Sequence, residues 1–171
     1  MFYDSTLKLS SAQAITTTAA STVIYDVTGA GSGNVPSMTF GNGKIGFDIA
    51  GGIEGSARPS AVWFVTTTGT GTGTITFQVQ AAPDNGSNLP GSYVTLAATT
   101  AYVGTTLKAG DEIILPIPPY NSIKPAMGVP RFYRFNYVQT GDGAATVTGF
   151  IGINPPTGYE ATQYGNNFAS A

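Results

Sequence analysis

The stretch Thr74-Ile-Thr-Phe-Gln-Val-Gln80 alternates without interruption: Ile75, Phe77 and Val79 take every second position, with Thr76, Gln78 and Gln80 between them. Successive side chains of a strand point to opposite faces, so a period of two separates an apolar row from a polar row and marks a half-buried antiparallel strand. Ile113, Leu115 and Ile117 make another such row, and Val147, Ile151 and Ile153 a third, with Gly149 inside it. No ten-residue window sustains the 3.6-residue apolar period of a helix. The best candidate, residues 10–20, contains the β-branched run Thr16-Thr17-Thr18, which disfavours one. Eight segments therefore read as strands: 22–27, 44–49, 61–67, 74–81, 92–98, 111–117, 132–140 and 146–154.

Turn signals separate them: Asn42-Gly43, Gly69-Thr-Gly-Thr-Gly73, Asp84-Asn-Gly86, Lys108-Ala-Gly-Asp111 and Asp142-Gly143. Asn-Gly and Asp-Gly supply the positive φ of tight turns, which predicts several direct antiparallel hairpins. The expected class is all-β, an antiparallel two-sheet sandwich of about eight strands. A jelly roll is expected ahead of an immunoglobulin-like sandwich, because the strand number favours it and the longer connections allow the chain to cross between sheets. Residues 28–43 and 50–60, rich in Gly, Ser and Pro, are expected to be long loops. At 17.5 kDa the chain suits one domain that buries roughly 70% of its unfolded surface. We divide it into an N-terminal arm over 1–14, the sandwich over 15–154, and an extended C-terminal arm over 155–171.

The chemical inventory is thin. The 171 residues include no histidine and no cysteine, and only 9% are charged, with a formal net charge of −2. The commonest general acid or base and the softest nucleophile are both missing. A non-enzymatic protein that binds or builds is expected, with no cofactor and no metal. The few basic residues form no block that would neutralise phosphates, which argues against a nucleic-acid partner. The opening Met1-Phe-Tyr-Asp-Ser-Thr-Leu-Lys8 has no basic region followed by an apolar run, and no stretch approaches the ~20 apolar residues that span a bilayer, so neither export by signal peptide nor membrane insertion is expected.

Gly29-Ala-Gly-Ser-Gly33 and Gly69-Thr-Gly-Thr-Gly73 resemble phosphate-cradling loops only superficially, since neither leads into a helix; a flexible or hairpin loop is expected for both. Asp84-Asn-Gly-Ser-Asn88 is oxygen-rich but lacks the spaced carboxylates and closing Glu of a calcium loop, so a tight turn is the better reading. Its Asn85-Gly86-Ser87 sequon is taken as accidental. Asp111 and Glu112 are adjacent and point to opposite faces of a strand, which rules them out as a glycosidase pair; Asp26, Asp48, Glu54 and Glu160 have no spacing that brings them together. Trp63, Tyr133, Phe135 and Tyr137 could form a sugar-stacking platform, but the last three share one strand face, the spacing of a buried side. Arg131 and Arg134, three apart, are expected to face oppositely and not to clamp one anion. In the tail, Tyr159, Tyr164 and Phe168 follow Pro155-Pro156 at roughly a strand's reach, so the tail reads equally as an arm that docks these aromatics on a neighbouring molecule and as a frayed terminus.

Leu7-Lys-Leu-Ser-Ser-Ala-Gln-Ala-Ile-Thr-Thr-Thr-Ala-Ala-Ser-Thr22, Pro118-Pro-Tyr-Asn121, Arg131-Phe-Tyr-Arg-Phe-Asn-Tyr-Val138 and Ala145-Thr-Val-Thr-Gly-Phe-Ile-Gly-Ile153 resemble the capsid cement proteins of tailed bacteriophages, of the Bordetella-phage type. The resemblance covers most of residues 5–154, departing in 29–60, in 122–130 and beyond 154. It implies a jelly-roll decoration protein on the outer surface of the virion, made in the host bacterial cytoplasm. It also implies bridging of major capsid protein subunits of HK97-like fold, with self-association as a dimer or other oligomer. It supplies no catalytic residues. The alternative is a carbohydrate-binding sandwich module of a phage adhesion structure.

Overall fold

The computed structural model describes residues 7–26, 39–40, 43–44, 59–118 and 130–153. They form strands β1 (Lys8–Ile15), β2 (Ala19–Ala20), β3 (Tyr25–Asp26), β4 (Thr39–Phe40), β5 (Gly43–Lys44), β6 (Pro59–Thr70), β7 (Thr74–Ala82), β8 (Val94–Ala98), β9 (Tyr102–Val103), β10 (Glu112–Pro116), β11 (Phe132–Thr140) and β12 (Ala144–Ile153), with one 3₁₀ turn at Gly104–Thr106. Two antiparallel sheets pack as a sandwich. One has the order β1-β12-β6-β10; the other runs β2-β11-β7-β8, with β3 also on β11 and β9 also on β7. β4 and β5 form a separate two-stranded ladder that pairs Thr39 with Lys44 and Phe40 with Gly43, so Gly43 of the Asn42-Gly43 signal lies within a strand.

β2 and β3 pair with successive stretches of β11, and β8 and β9 with successive stretches of β7. Counted as one broken strand each, they reduce the sandwich to eight strands, in the orders 1-8-3-6 and 2-7-4-5.

Each of the eight expected segments contains or meets a strand, although residues 27, 45–49 and 154 lie outside the described residues. β1 was not expected as a strand. Residues 8–14 of the segment set apart as an N-terminal arm belong to the edge strand of the sheet, and Leu7, Leu9 and Ile15 are buried. The register slips on both sides of Ser10 and Ala12 sits at φ +45°, so the bulges hide the period that would have announced the strand.

Two connections expected as hairpins are sheet-switching corners. β6 and β7 lie in different sheets, as do β11 and β12, so residues 71–73 and 141–143 carry the chain across the sandwich. The corners interlock. Asp142 Oδ1 accepts hydrogen bonds from the Gly73 N–H at 2.7 Å and the Thr72 hydroxyl at 3.3 Å. The Gly73 bond, foremost, holds the Asp142 carboxyl below the ordinary carboxylate range. A Cβ on Gly73 would collide with the Thr140 carbonyl and the Gly143 backbone, so the glycines serve close approach of two chain segments.

The inward rows fill the space between the sheets. Trp63, Val65, Ile75, Phe77, Val79, Tyr133, Phe135, Tyr137, Val147 and Ile151 are each at most 2% exposed, and burial of a large apolar side chain contributes about 1.5–3 kcal/mol. Trp63 lies at the centre, its ring 4.8 Å from that of Phe135 and 5.3 Å from that of Phe77. Phe77 meets Tyr137 edge-on at 5.8 Å. The Tyr137 hydroxyl and the Ser10 hydroxyl share a hydrogen bond of 2.6 Å across the sandwich, joining β11 to the edge strand β1. Burial raises the Tyr137 phenol far above its ordinary range, only partly offset by Ser10 and the Trp63 indole, so it stays neutral.

The alternation of β7 yields a paired test. Phe77→Asp places a charge inside the sandwich and should cost several kcal/mol, whereas Gln78→Asp, on the outward face, should change stability by less than about 1 kcal/mol. Urea denaturation of both variants checks this; equal losses would contradict the assignment of faces.

Candidate functional site

The outward face of the six-stranded sheet carries an interlocked set of amide, hydroxyl and guanidinium groups. Register sets its rows: Arg134 stands opposite Gln80 and Gln80 opposite Thr95, while Asn136 stands opposite Gln78. Hydrogen bonds follow the rows. Arg134 Nε donates to Gln80 Oε1 at 2.9 Å, Gln80 Nε2 to Thr95 Oγ1 at 3.2 Å, and Asn136 Nδ2 to Gln78 Oε1 at 2.9 Å. Gln80 Nε2 also donates to Gln78 Oε1 at 3.4 Å, linking one row to the next. The Arg134 guanidinium lies 3.7 Å over the Tyr93 ring, a cation–π contact. Burial raises the Tyr93 phenol above its ordinary range, against the opposing effect of the Arg134 charge. These side chains are half-buried, and each bond fixes rotamers that a free Gln or Arg would sample, so the face is held in order by its own contacts.

One end of this face is closed by an ion cluster. Arg131 Nε and Nη2 donate to Asp26 Oδ1 and Oδ2, both at 2.9 Å, in a bidentate fork. Arg131 Nη1 donates to Asp84 Oδ2 and, at 2.8 Å, to Asn88 Oδ1. The Asp26 side chain is wholly shielded from solvent and that of Arg131 is 11% exposed. The bond to Asp26, foremost, makes the guanidinium still harder to deprotonate. Arg131 precedes β11, so strand alternation does not govern it. Its guanidinium lies 4.9 Å over the ring of Phe132, which shares a strand face with Arg134. The expectation that the two arginines face oppositely is thereby corrected, although each is engaged by separate partners and they form no joint clamp.

Asp84 Oδ1 accepts from the N–H of Gly86 at 2.8 Å and of Asn88 at 3.1 Å, and the other carboxylate oxygen is held by Arg131. The 84–88 loop is thus a turn organised by its own carboxylate, with Gly86 at φ +90°. Trp63, Tyr133, Phe135 and Tyr137 are core residues, each at most 1% exposed, and present no stacking platform to solvent. Asp111 and Glu112 are exposed and line a groove of about 360 Å³ with Tyr102, Thr106, Leu107 and Ile113; Asp111 Oδ2 accepts the Lys108 N–H at 2.7 Å. Asp26 is taken up by Arg131, while Asp48, Glu54 and Glu160 lie outside the described residues, as do Tyr159, Tyr164 and Phe168.

The outward face of the four-stranded sheet is different in character. Ile114, Val62 and Phe150 stand side by side across three strands, and Phe64 meets Phe150 edge-on at 6.3 Å. Val62 is fully buried on this outer side. The signal was present in the unbroken apolar run Ala61-Val-Trp-Phe-Val65, which belongs to a strand covered on both faces, not to one that alternates. The outward network of β7 and β11 was half legible, as the polar positions of the alternation; the Tyr93–Arg134 stack and the Asp26–Arg131 pair had no signal in one sequence because their partners are 41 and 105 positions apart.

Among the described residues no helix is long and apolar enough to cross a membrane. Neither a search of protein-family models nor a search of curated proteins finds a match to the chain.

The cluster predicts unequal roles for the two arginines. Arg131→Ala withdraws the bidentate partner of a shielded carboxylate and should cost about 3–5 kcal/mol. Arg134→Ala, on the wetter face, should cost less than ~1 kcal/mol. Urea denaturation curves check this, and a cheap Arg131→Ala would show that Asp26 is held mainly by other groups.

Proposed function

We propose that the chain is a non-enzymatic capsid cement protein, which decorates the outer surface of a bacteriophage head and bridges major capsid protein subunits of HK97-like fold. The observation that carries this reading is the outward face of the six-stranded sheet, ordered by its own hydrogen bonds and bearing amides and hydroxyls with the stacked Arg134. A surface of this kind docks on another protein at low entropic cost, because few side chains remain to be immobilised. Bridging then works by multivalency: weak contacts to several shell subunits from one rigid sandwich reinforce each other through effective concentration. The strand orders 1-8-3-6 and 2-7-4-5 support a jelly-roll winding, and the resemblance of most of residues 5–154 to phage cement proteins supports the same assignment. Self-association as a dimer or larger oligomer and attachment to the virion belong to this proposal, and Tyr159, Tyr164 and Phe168 are its candidate anchors in the tail.

A carbohydrate-binding module is the competing reading. Its proposed aromatic platform is inside the core, and one face of the Tyr93 ring is occupied by Arg134.

Cosedimentation with undecorated protein shells and with polysaccharide separates the two. The chain should follow the shells, and Gln80→Glu combined with Asn136→Asp should weaken that binding at least about tenfold, a loss of ~1.4 kcal/mol, with circular dichroism unchanged. Deletion of 155–171 should weaken binding further if the tail anchors the protein. Retention by polysaccharide and not by shells would overturn the proposal.

A further inference from the structure

In the loop between β7 and β8, contacts that shape the turn also surround an Asn-Gly pair. In Asn85-Gly86 the nitrogen that follows the asparagine is unhindered, since Gly86 lies at φ +90° with open space where a side chain would be. Asn85, Gly86 and Ser87 are all exposed to water. Polar contacts converge on the atoms that would react. The Gly86 N–H donates to Asp84 Oδ1 at 2.8 Å, and Asn85 Oδ1 accepts the Ser87 N–H at 2.8 Å. Asp84 is itself fixed: Oδ1 also receives the Asn88 N–H at 3.1 Å, and Oδ2 pairs with Arg131.

We propose that Asn85 is a self-modifying residue, converted through an intramolecular succinimide with Asp84 as base and the Ser87 N–H as oxyanion donor. The Gly86 nitrogen attacks Asn85 Cγ while its proton passes to Asp84 Oδ1. The new N–Cγ bond places negative charge on Asn85 Oδ1, where the Ser87 N–H already points. Collapse of this intermediate breaks the Cγ–Nδ2 bond, and Nδ2 leaves as ammonia with the proton from Asp84. Water then opens the five-membered ring at either carbonyl, leaving aspartate or β-linked aspartate at position 85, with no net oxidation or reduction. The holding contacts replace a search through loop conformations by a fixed arrangement of base, nucleophile and oxyanion donor.

The consequence reaches the ion cluster. Either product adds a negative charge next to Asp84, and the β-linked one also inserts a methylene into the main chain between Asp84 and Asn88, the two loop residues that hold Arg131. The loop thereby couples the age of the molecule to the clamp at the end of the outward face.

Peptide mapping by mass spectrometry over time at neutral pH tests the proposal, with the folded chain compared with a synthetic peptide of residues 81–91. The folded chain should lose the Asn85 amide at least about tenfold faster than the peptide. Asp84→Asn, with its fold checked by circular dichroism, should bring the folded rate down towards that of the peptide. Gly86→Ala should slow both. A folded rate equal to or below that of the peptide would overturn the proposal, whether or not the Asp84 variant folds; so would a folded Asp84→Asn protein that reacts as fast as the parent.

Discussion

The contact between the Trp63 indole and the bare backbone of Gly149 sets the terms for the rest of the sandwich. The two residues are register partners on β6 and β12, both facing inward, and a Cβ on Gly149 would lie 2.7 Å from Trp63 Cδ1 and 2.9 Å from the Phe135 ring. The missing methyl therefore lets Trp63 lie over one sheet while touching Phe135 and Phe77 of the other. Interiors pack like organic crystals, so the depth of this notch fixes how closely the sheets approach. The remaining inward rows, and the Ser10–Tyr137 hydrogen bond that ties in the edge strand, are placed by that spacing.

The outward faces inherit their order from this interior. Because β7 and β11 are held in register over nine residues, Gln80 meets Arg134 and Gln78 meets Asn136, and side-chain hydrogen bonds run along lines that the backbone already defines. The same register places Asp26 opposite Phe132, within reach of Arg131. In a chain with 9% charged residues, the most strongly shielded ion pair among the described residues thus stands at one end of a face whose other groups, Arg134 apart, are neutral. Such a surface offers neutral hydrogen-bonding groups held in fixed positions, the feature on which the proposal of docking on a protein shell rests.

Where the chain obeys a single period, the sequence was a good guide to its structure. β7 and β11 each present one row inward and one outward, and alternation located both strands and the faces of Ile75, Phe77, Val79, Tyr133, Phe135 and Tyr137. β1 was missed because bulges break its alternation, and β9 because two residues carry no period. The corners at 71–73 and 141–143 resemble hairpin turns in composition; what makes them corners is the long-range pairing of β6 with β12 and β7 with β11, which local glycine content does not encode. The interlocked face was visible as polar alternation but not as a network, since Tyr93, Gln80 and Arg134 meet only through three strands. The tail aromatics lie outside the described residues and contribute nothing to this comparison.

Gly149→Ala tests the central claim most directly, because the two explanations of a strand glycine predict opposite signs. A glycine of no special purpose gains about 0.5–1 kcal/mol of stability when replaced by alanine, through the lower entropy of the unfolded chain. If Gly149 is the notch for Trp63 and Phe135, the added methyl instead overpacks a closed interior and should cost about 1–3 kcal/mol in urea denaturation. A stability equal to or above that of the parent protein would contradict the account.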